Sequence, residues 1–322
     1  MTGADQHADP VLGIDLDATT IRVGVSRGSE IGTRLERPTP DGPTGDAVTE
    51  AILDAVGDVT TEADLDPGDI SGIGVGSIGP IDHEAGVVIG PGKLPRSIEG
   101  IRLAGPLGNE YGGPVSVDTR GRAALVGERA AASDPPADMA FLALASDLDA
   151  GVAVDGTVLQ GWGSNAGSVS HFQVVEDGGM MCGCGREGHW AAYAAGANIP
   201  AYARSLTDEF PGSSDLPLDE GTVSAHDIFE RAGEDVLADV TIHRLGRWNA
   251  AGLADLVHAF GPSLVSIGGE LALEYPDLVV DPIRERLPDR VSTRVPEIRE
   301  TPMGADAVLE GAMALGRAVA GD

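Results

Sequence analysis

The chain has 322 residues, 51 Asp and Glu against 21 Lys and Arg, and a formal net charge of −30 at pH 7. This length allows two packed domains, and 42% hydrophobic residues are typical of a soluble globular protein. So acidic a chain repels polyanions, which excludes nucleic acid as an expected partner, and the absence of long apolar runs predicts no membrane helix.

We interpret the charge as halophilic adaptation, because a dense carboxylate surface stays hydrated where salt at 1 M screens charges within about 3 Å. A specific acidic function is the alternative. Residues 1–10 are polar and acidic and lack the basic and apolar regions of a secretion signal. They therefore predict a disordered N-terminus and a cytoplasmic protein.

The first part of the chain predicts strands that alternate with helices. Residues 11–25 are apolar and β-branched around a polar turn from Asp15 to Thr20, which predicts two short strands. Apolar spacing then predicts a helix at 46–57, a strand at 70–76, a strand at 114–118 and a helix at 121–132.

The second part restarts the same pattern. Residues 140–159 again give strand, polar turn and strand, which predicts two lobes of related topology. Residues 161–190 are rich in Gly, Ser, His and Cys and predict a loop that carries a site. The remaining predicted elements are helices at 191–206, 224–234 and 236–260, a strand at 263–267 and a final helix at 305–319.

Both cysteines lie in the tripeptide Cys182-Gly183-Cys184, too close together for a structural disulfide framework. This spacing is typical of metal ligands or of redox thiols.

Five motifs, in the same order along the chain, resemble those of the ROK family of sugar kinases and related repressors. GIDLDATTIR (13–22) resembles the family's opening GIDIGGTKIR, and GVGSIGPIDHEAGVV (74–88) resembles its GxGxPGPVDxxxGxV. GSVSHFQV (167–174) resembles GEIGHxxV, and CGCGREGHWAAYAAG (182–196) resembles CGCGxxGCLExxxSG. SLVSIGGE (263–270) is similar to the family's VIxGGG.

The resemblance implies an α/β protein with the two-lobed actin-like/hexokinase (RNase H-like) ATPase fold, built by internal duplication. It implies an N-terminal lobe at 11–119 and a C-terminal lobe at 120–304 with a zinc loop at 167–190. The helix in residues 305–322 would pack back on the N-terminal lobe. A homodimer and a small-molecule sugar or sugar-phosphate ligand are also implied.

The resemblance further implies a structural zinc ion at His171, Cys182, Cys184 and His189, where His189 replaces the family's third cysteine. Imidazole and thiolate both ligate Zn²⁺ in tetrahedral sites, so a set of two histidines and two cysteines is chemically sound. Such a closed site would hold the loop in place.

The position of the family's general base is changed. The family stretch VxxxNDANAAALGE corresponds to VSVDTRGRAALVGE (115–128), which places Arg120 at the catalytic aspartate. Arginine accepts no proton at physiological pH. Asp118 lies two residues earlier, on the same face of a strand, and is a candidate replacement base. The alternative is an aspartate that is solvated or forms a salt bridge.

The phosphate loops are changed as well. The family's GGT is Asp17-Ala18-Thr19 here, and its GTGxGGG is 145–151, which contains Asp147 and Asp149. At about 5 Å and an effective dielectric constant of about 20, each new carboxylate opposes a polyphosphate by roughly 3 kcal/mol. The alternative is that the added aspartates recruit Mg²⁺. The resemblance assigns the nucleotide and its phosphates to Asp15, Thr19, Ser146, Gly268 and Gly269.

The residues that match the family's sugar contacts are Lys93, Ser168 and His171, of which only His171 keeps the family's residue. If a ligand binds, Lys93, Arg120 and Arg122 favour an anionic one, such as a sugar phosphate or sugar acid.

Three functions follow. The first is a ROK-like pseudokinase that binds a small ligand or a partner. The second is an active ATP-dependent sugar kinase with a relocated base, using ATP and Mg²⁺. The third is a changed chemistry or a structural role.

Overall fold

The computed structural model describes residues 9–28, 30–40, 42, 44–90, 94 and 98–321. Its chain divides into two compact units. The first contains the described residues up to Pro135, Val158–Gly167 and the described residues from Asp306 onward, and the second contains Pro136–Thr157 and Ser168–Ala305.

The strands are β1 Val11–Leu16, β2 Thr20–Arg27, β3 Glu30–Pro38, β4 Gly72–Ser77, β5 Ile81–Asp82, β6 Val87–Ile89, β7 Gly100–Arg102, β8 Val115–Thr119, β9 Met139–Leu144, β10 Leu148–Val154, β11 Thr157–Val158, β12 Leu264–Gly268 and β13 Glu297–Glu300. The helices are α1 Gly45–Glu62, α2 Ala104–Tyr111, α3 Arg120–Ala131, α4 Trp190–Ala194, α5 Ile199–Ser205, α6 Ala225–Phe229, α7 Val236–Phe260, α8 Glu270–Glu274, α9 Pro276–Val279, α10 Asp281–Arg286 and α11 Ala307–Ala320.

The main sheet of the first unit has the strand order β3-β2-β1-β4-β8. Strands β1, β2 and β3 pair antiparallel, whereas β4 pairs parallel with both β1 and β8. A second sheet of this unit has the order β5-β6-β7. The edge strand β3 was not predicted, because its residues alternate between half-buried and exposed and few of them are apolar.

Alternate residues of β1 face different helices of the first unit. Leu12, Ile14 and Leu16 are fully buried in one core cluster with the apolar face of α1. On the other face, a Cβ added at Gly74 of β4 would lie 1.8 Å from the carbonyl oxygen of Ala312 in α11. Backbone therefore meets backbone where α11 crosses the sheet, which only glycine permits.

The main sheet of the second unit has the order β11-β10-β9-β12-β13. Its directions repeat those of the first unit, because β9 pairs antiparallel with β10 and β12 pairs parallel with β9 and β13. The repeat predicted from residues 11–25 and 140–159 is thus present as a duplicated strand order.

The longest helix of the second unit is α7, which matches the predicted bounds. It begins after Asp235, whose side chain accepts the Ala238 amide, and ends at the left-handed Gly261. The helix predicted at 191–206 is wrong as one element. It breaks at Ala195 and Gly196, and restarts with Pro200 in the first turn of α5, where the missing N–H does no harm.

The compact units differ from the boundaries expected from the resemblance. Helix α3 packs against α11 and β8, so the first unit extends to Pro135 and does not end at residue 119. The expected disordered N-terminus falls on residues 1–10, of which residues 1–8 lie outside the described part. Among the described helices, none combines the length and apolar character needed to cross a membrane.

Candidate functional site of the first unit

Asp15 and Asp118 both lie toward the carboxyl ends of their strands in the main sheet. Strands β1, β4 and β8 are parallel, and their register aligns Asp15 with Gly76 and Gly76 with Asp118. Aligned residues of neighbouring strands project to the same face. Both aspartates are buried, with relative exposures of 2% and 5%.

Arg120 is the first residue of α3 and turns toward the end of β1. Its Nε donates to Oδ1 of Asp15 at 2.8 Å, and its Nη2 donates to Oδ2 of Asp15 at 3.3 Å. Its Nη1 lies 3.0 Å from Oδ1 of Asp17. The arginine at the family's base position is therefore held between two carboxylates.

Arg122 is the most enclosed charged group of this region, with 1% relative exposure. Its Nε donates to Oδ1 of Asp118 at 2.5 Å, and its Nη1 donates to the carbonyl oxygens of Ser164 at 2.9 Å and Ala166 at 3.3 Å. The remaining Nη2 lies 2.9 Å from Nε2 of His83. Asp118, the candidate replacement base, is thus engaged by a buried cation and also accepts the Thr119 amide.

His83 was missed as a site residue, although it stands in the motif GPIDHEAGVV. A guanidinium has no acceptor, so Nε2 of His83 must accept from Arg122 and the imidazole is neutral. Burial lowers the pKa of His83, and the Arg122 charge adds to this against the opposing effect of Asp118. A titratable residue beside Asp82 in a strand hairpin was the signal available in the sequence.

Hydrogen bonds hold the turn between β1 and β2, which corresponds to the first of the family's phosphate loops. The amide of Asp17 donates to the carbonyl oxygen of Thr20, and Oγ1 of Thr39 donates to the carbonyl oxygen of Asp17 at 2.8 Å. Thr19 is exposed, and its Oγ1 lies 3.3 Å from that of Thr20. The turn keeps the expected strand-turn-strand form.

Candidate functional sites of the second unit

The turn that corresponds to the second of the family's phosphate loops joins β9 and β10 and contains the half-buried Ser146. Oδ1 of Asp147 accepts the next amide, of Leu148, at 2.7 Å, and Oδ1 of Asp149 accepts the amide of Ala150 at 2.9 Å. Two backbone donors of this turn are therefore engaged by carboxylates, where glycines would leave such donors to an anion.

Gly268 is the last residue of β12, and Gly269 follows it. A Cβ added at Gly268 would lie 2.6 Å from Cζ of Phe141, and Gly269 has φ +94°. A Cβ at Gly269 would lie 2.5 Å from the carbonyl oxygen of Leu144. Close packing on β9 thus requires both glycines whether or not a nucleotide binds.

The four predicted zinc ligands come together. The ligand atoms of His171, Cys182, Cys184 and His189 all lie within 4.8 Å of one another. The two Nδ1 atoms are 3.2 Å apart, Sγ of Cys184 is 3.2 Å from Nδ1 of His189, and Sγ of Cys182 is 4.0 Å from Nδ1 of His171. Atoms bound at about 2.0 to 2.3 Å around a tetrahedral centre lie roughly 3.3 to 3.8 Å apart, and the three separations given above are close to that range.

Backbone pairing brings these ligands together. The carbonyl oxygen of Phe172 accepts the Trp190 amide, and Gln173 bridges to His189, so the histidines sit on adjoining arms. The cysteines lie on a turn in which the Gly185 amide donates to the carbonyl oxygen of Cys182. Burial, followed by the charges of His171 and Arg186, lowers the pKa of His189, which favours the neutral form that binds metal.

The three predicted sugar contacts lie in different surroundings. Ser168 is exposed and precedes a short 3₁₀ turn at Val169–His171, and the Nδ1 of His171 faces the metal cluster. Lys93 lies outside the described residues.

Comparisons with known proteins agree with this architecture. The model of the ROK family matches residues 11–319. The chain is 31% identical over 310 residues to the glucokinase of Pyrobaculum calidifontis, covering 94% of each chain. It superposes on a ROK family glucokinase of Streptomyces griseus, solved in complex with glucose and AMPPNP, with a TM-score of 0.79 and 29% identity over 96% of this chain and 99% of that one. A ROK hexokinase of Thermus thermophilus gives a TM-score of 0.74 at 29% identity, covering 96% and 98%.

The chain belongs to the ROK family. Its fold is that of the actin-like/hexokinase ATPases, and it is sugar-kinase-like over nearly its whole length.

Proposed function

We propose that this chain is a ROK pseudokinase: a sugar-kinase-like protein that binds a small sugar ligand or a partner but does not transfer a phosphoryl group. The observation that carries the proposal is Arg120. It stands where the family has its general base, and its guanidinium is already paired with Asp15 and Asp17. A missing base costs typically about 10²–10⁴-fold in rate.

The state of Asp118 supports the same proposal. A replacement base needs a free lone pair directed at the substrate hydroxyl, within hydrogen-bonding reach. Oδ1 of Asp118 accepts from Arg122 and from the Thr119 amide, and the residue is 5% exposed, so only Oδ2 of a largely covered carboxylate is left to meet a hydroxyl.

The second candidate function is an active sugar kinase in which Asp118 is the base. Its support is that Asp118 shares the carboxyl edge of the sheet with Asp15, and that the relatives bear the names glucokinase and hexokinase. ATP and Mg²⁺ are required only under this second function.

We further propose a structural zinc ion on His171, Cys182, Cys184 and His189. If Nδ1 of His171 holds the metal, Nε2 of the same ring is left to meet a sugar hydroxyl. Removal of zinc would then affect both the order of the loop and sugar binding.

Three cations, Lys93, Arg120 and Arg122, were the reason to expect an anionic ligand, and two of them are already paired. Arg120 and Arg122 are both paired with carboxylates, which leaves Lys93 as the cation for a phosphate. We therefore propose that the protein binds a neutral sugar more tightly than a sugar phosphate. Calorimetric titration of glucose and glucose 6-phosphate tests the order of preference.

The test of the pseudokinase proposal is sugar-dependent ADP release by the zinc-loaded protein at molar KCl. We expect none for hexoses and amino sugars. Turnover that is lost in Asp118→Asn and kept in the surface variant Asp46→Asn would establish a kinase with a displaced base. The homodimer remains a prediction, which light scattering decides.

A further inference from the structure

The pairing of Arg120 is unusual for the place where it occurs. Arg120 is the first residue of α3, the end of a helix that carries a partial positive charge, where a cation is locally unfavourable. Its side chain is also mostly covered, at 17% exposure. What holds the cation there is therefore not the helix but the carboxylates of Asp15 and Asp17.

Those carboxylates contact different nitrogens of the same guanidinium. Both oxygens of Asp15 and one oxygen of Asp17 lie within 3.3 Å of guanidinium nitrogens, and the two side chains are 3% and 13% exposed. One guanidinium brings one positive charge to two negative ones. A cation therefore already fills the position beside both carboxylates.

We propose that Arg120 is a tethered cation that fills a divalent-cation site formed by Asp15 and Asp17, so that the protein excludes Mg²⁺ by its own side chain. Mg²⁺ is commonly held by one or two carboxylates while it keeps several waters, and two carboxylates on one strand-turn supply that set. The guanidinium and the metal compete for the same oxygens.

This inference rests on the proposed loss of phosphoryl transfer, and it adds a cause. Loss of the base alone would leave Mg²⁺ free to bind at the turn. A tethered cation also removes the metal that a nucleotide's phosphates would need, because metal binding requires Arg120 to leave both aspartates.

The experiment follows thermal unfolding of the zinc-loaded full chain against MgCl₂ at constant ionic strength. Arg120→Met should unfold at a lower temperature than the parent without Mg²⁺, and its midpoint should rise saturably with Mg²⁺. In the parent the same rise should need at least about tenfold more Mg²⁺, because a closed state reduces apparent affinity by the fraction of molecules that are open. Adding Asp15→Asn to Arg120→Met should abolish the rise.

The matched control is Arg102→Met. Arg102 pairs with Asp46 at 2.8 Å on the surface of the same unit, where both side chains are more than half exposed. This variant should behave as the parent does. The comparison distinguishes the loss of any paired arginine from the loss of Arg120.

The inference is overturned if the parent and Arg120→Met respond equally to Mg²⁺, or if Arg120→Met does not respond. Should Arg120→Met fail to fold, Arg120→Lys decides. Lysine keeps the charge but loses the planar fork, so it should admit Mg²⁺ partly, and an absent response would contradict the proposal. Sugar-dependent ADP release by the parent would contradict the pseudokinase function instead, so the two failures are distinguishable.

Discussion

Arg122 has four polar partners although it is almost completely buried, and a charge in that position is costly without them. It ties strand β8, through Asp118, to His83 and to the loop that contains Ser164. Ser164 has φ +58°, a strained value for a residue other than glycine. The hydrogen bond from Arg122 to its carbonyl oxygen helps to hold that conformation.

Arg122→Met should lower the free energy of unfolding by about 3–5 kcal/mol, because it leaves the carboxylate of Asp118 buried without its cation. Urea unfolding measures the change. Arg102→Met removes an exposed pair and should cost about 1 kcal/mol or less. Equal effects of the two variants would show that the buried network contributes nothing beyond a surface ion pair.

Stability should depend on pH through His83. Because burial lowers its pKa in the folded state, the unfolded chain takes up the proton first as pH falls below the ordinary value of 6.5. Its contribution is thus complete above that pH and is lost as pH falls. His83→Gln should reduce the loss of unfolding free energy between pH 7.5 and 5.5. An unchanged pH profile would contradict the neutral, arginine-bound imidazole.

At the scale of elements, the first unit depends on close contact between α11, the sheet and α3. The contact is made by backbone, as at Gly74, and a Cβ added at Gly311 of α11 would lie 2.0 Å from the carbonyl oxygen of Ala123 in α3. The small residues of 305–319 were visible in the sequence. Their partners were not, because contacts distant in sequence leave no local pattern.

Gly74→Ala should destabilise the protein by about 1–3 kcal/mol, since the helix must move to admit one methyl group. Gly68→Ala is the control. A Cβ at Gly68 meets no atom within 4 Å, and the change should stay within about 0.5 kcal/mol. Urea unfolding of both variants checks the difference, and a neutral Gly74→Ala would mean that α11 packs less closely.

The loop at 168–190 contains few regular elements, and the metal cluster adds to the backbone pairing that joins its two arms. We expect one zinc per chain by elemental analysis. Cys184→Ala should lose the metal and lower the unfolding midpoint, whereas His243→Ala, at an exposed histidine outside the cluster, should keep both. Full metal content in Cys184→Ala would contradict the four-ligand site.

For the whole molecule, motif order predicted the family and the fold, because strand-turn-strand units and the Cys-Gly-Cys knuckle are local patterns. The sequence also predicted that Arg120 matches the family's base position and that Asp118 lies two residues before it. The contacts of Arg120 and Arg122 could not be predicted. Which of Asp15, Asp17 and Asp118 each arginine meets depends on how α3 is oriented at the carboxyl ends of the strands. His83 was not predicted as a site residue because its contact with Arg122 is distant in sequence.

The most direct measurement is ADP release by the zinc-loaded parent protein, at high protein concentration and molar KCl, with and without sugar. A rate that sugar does not raise is expected of a chain with Arg120 paired between Asp15 and Asp17. Sugar-dependent release that disappears in Asp118→Asn would contradict it and identify an active kinase.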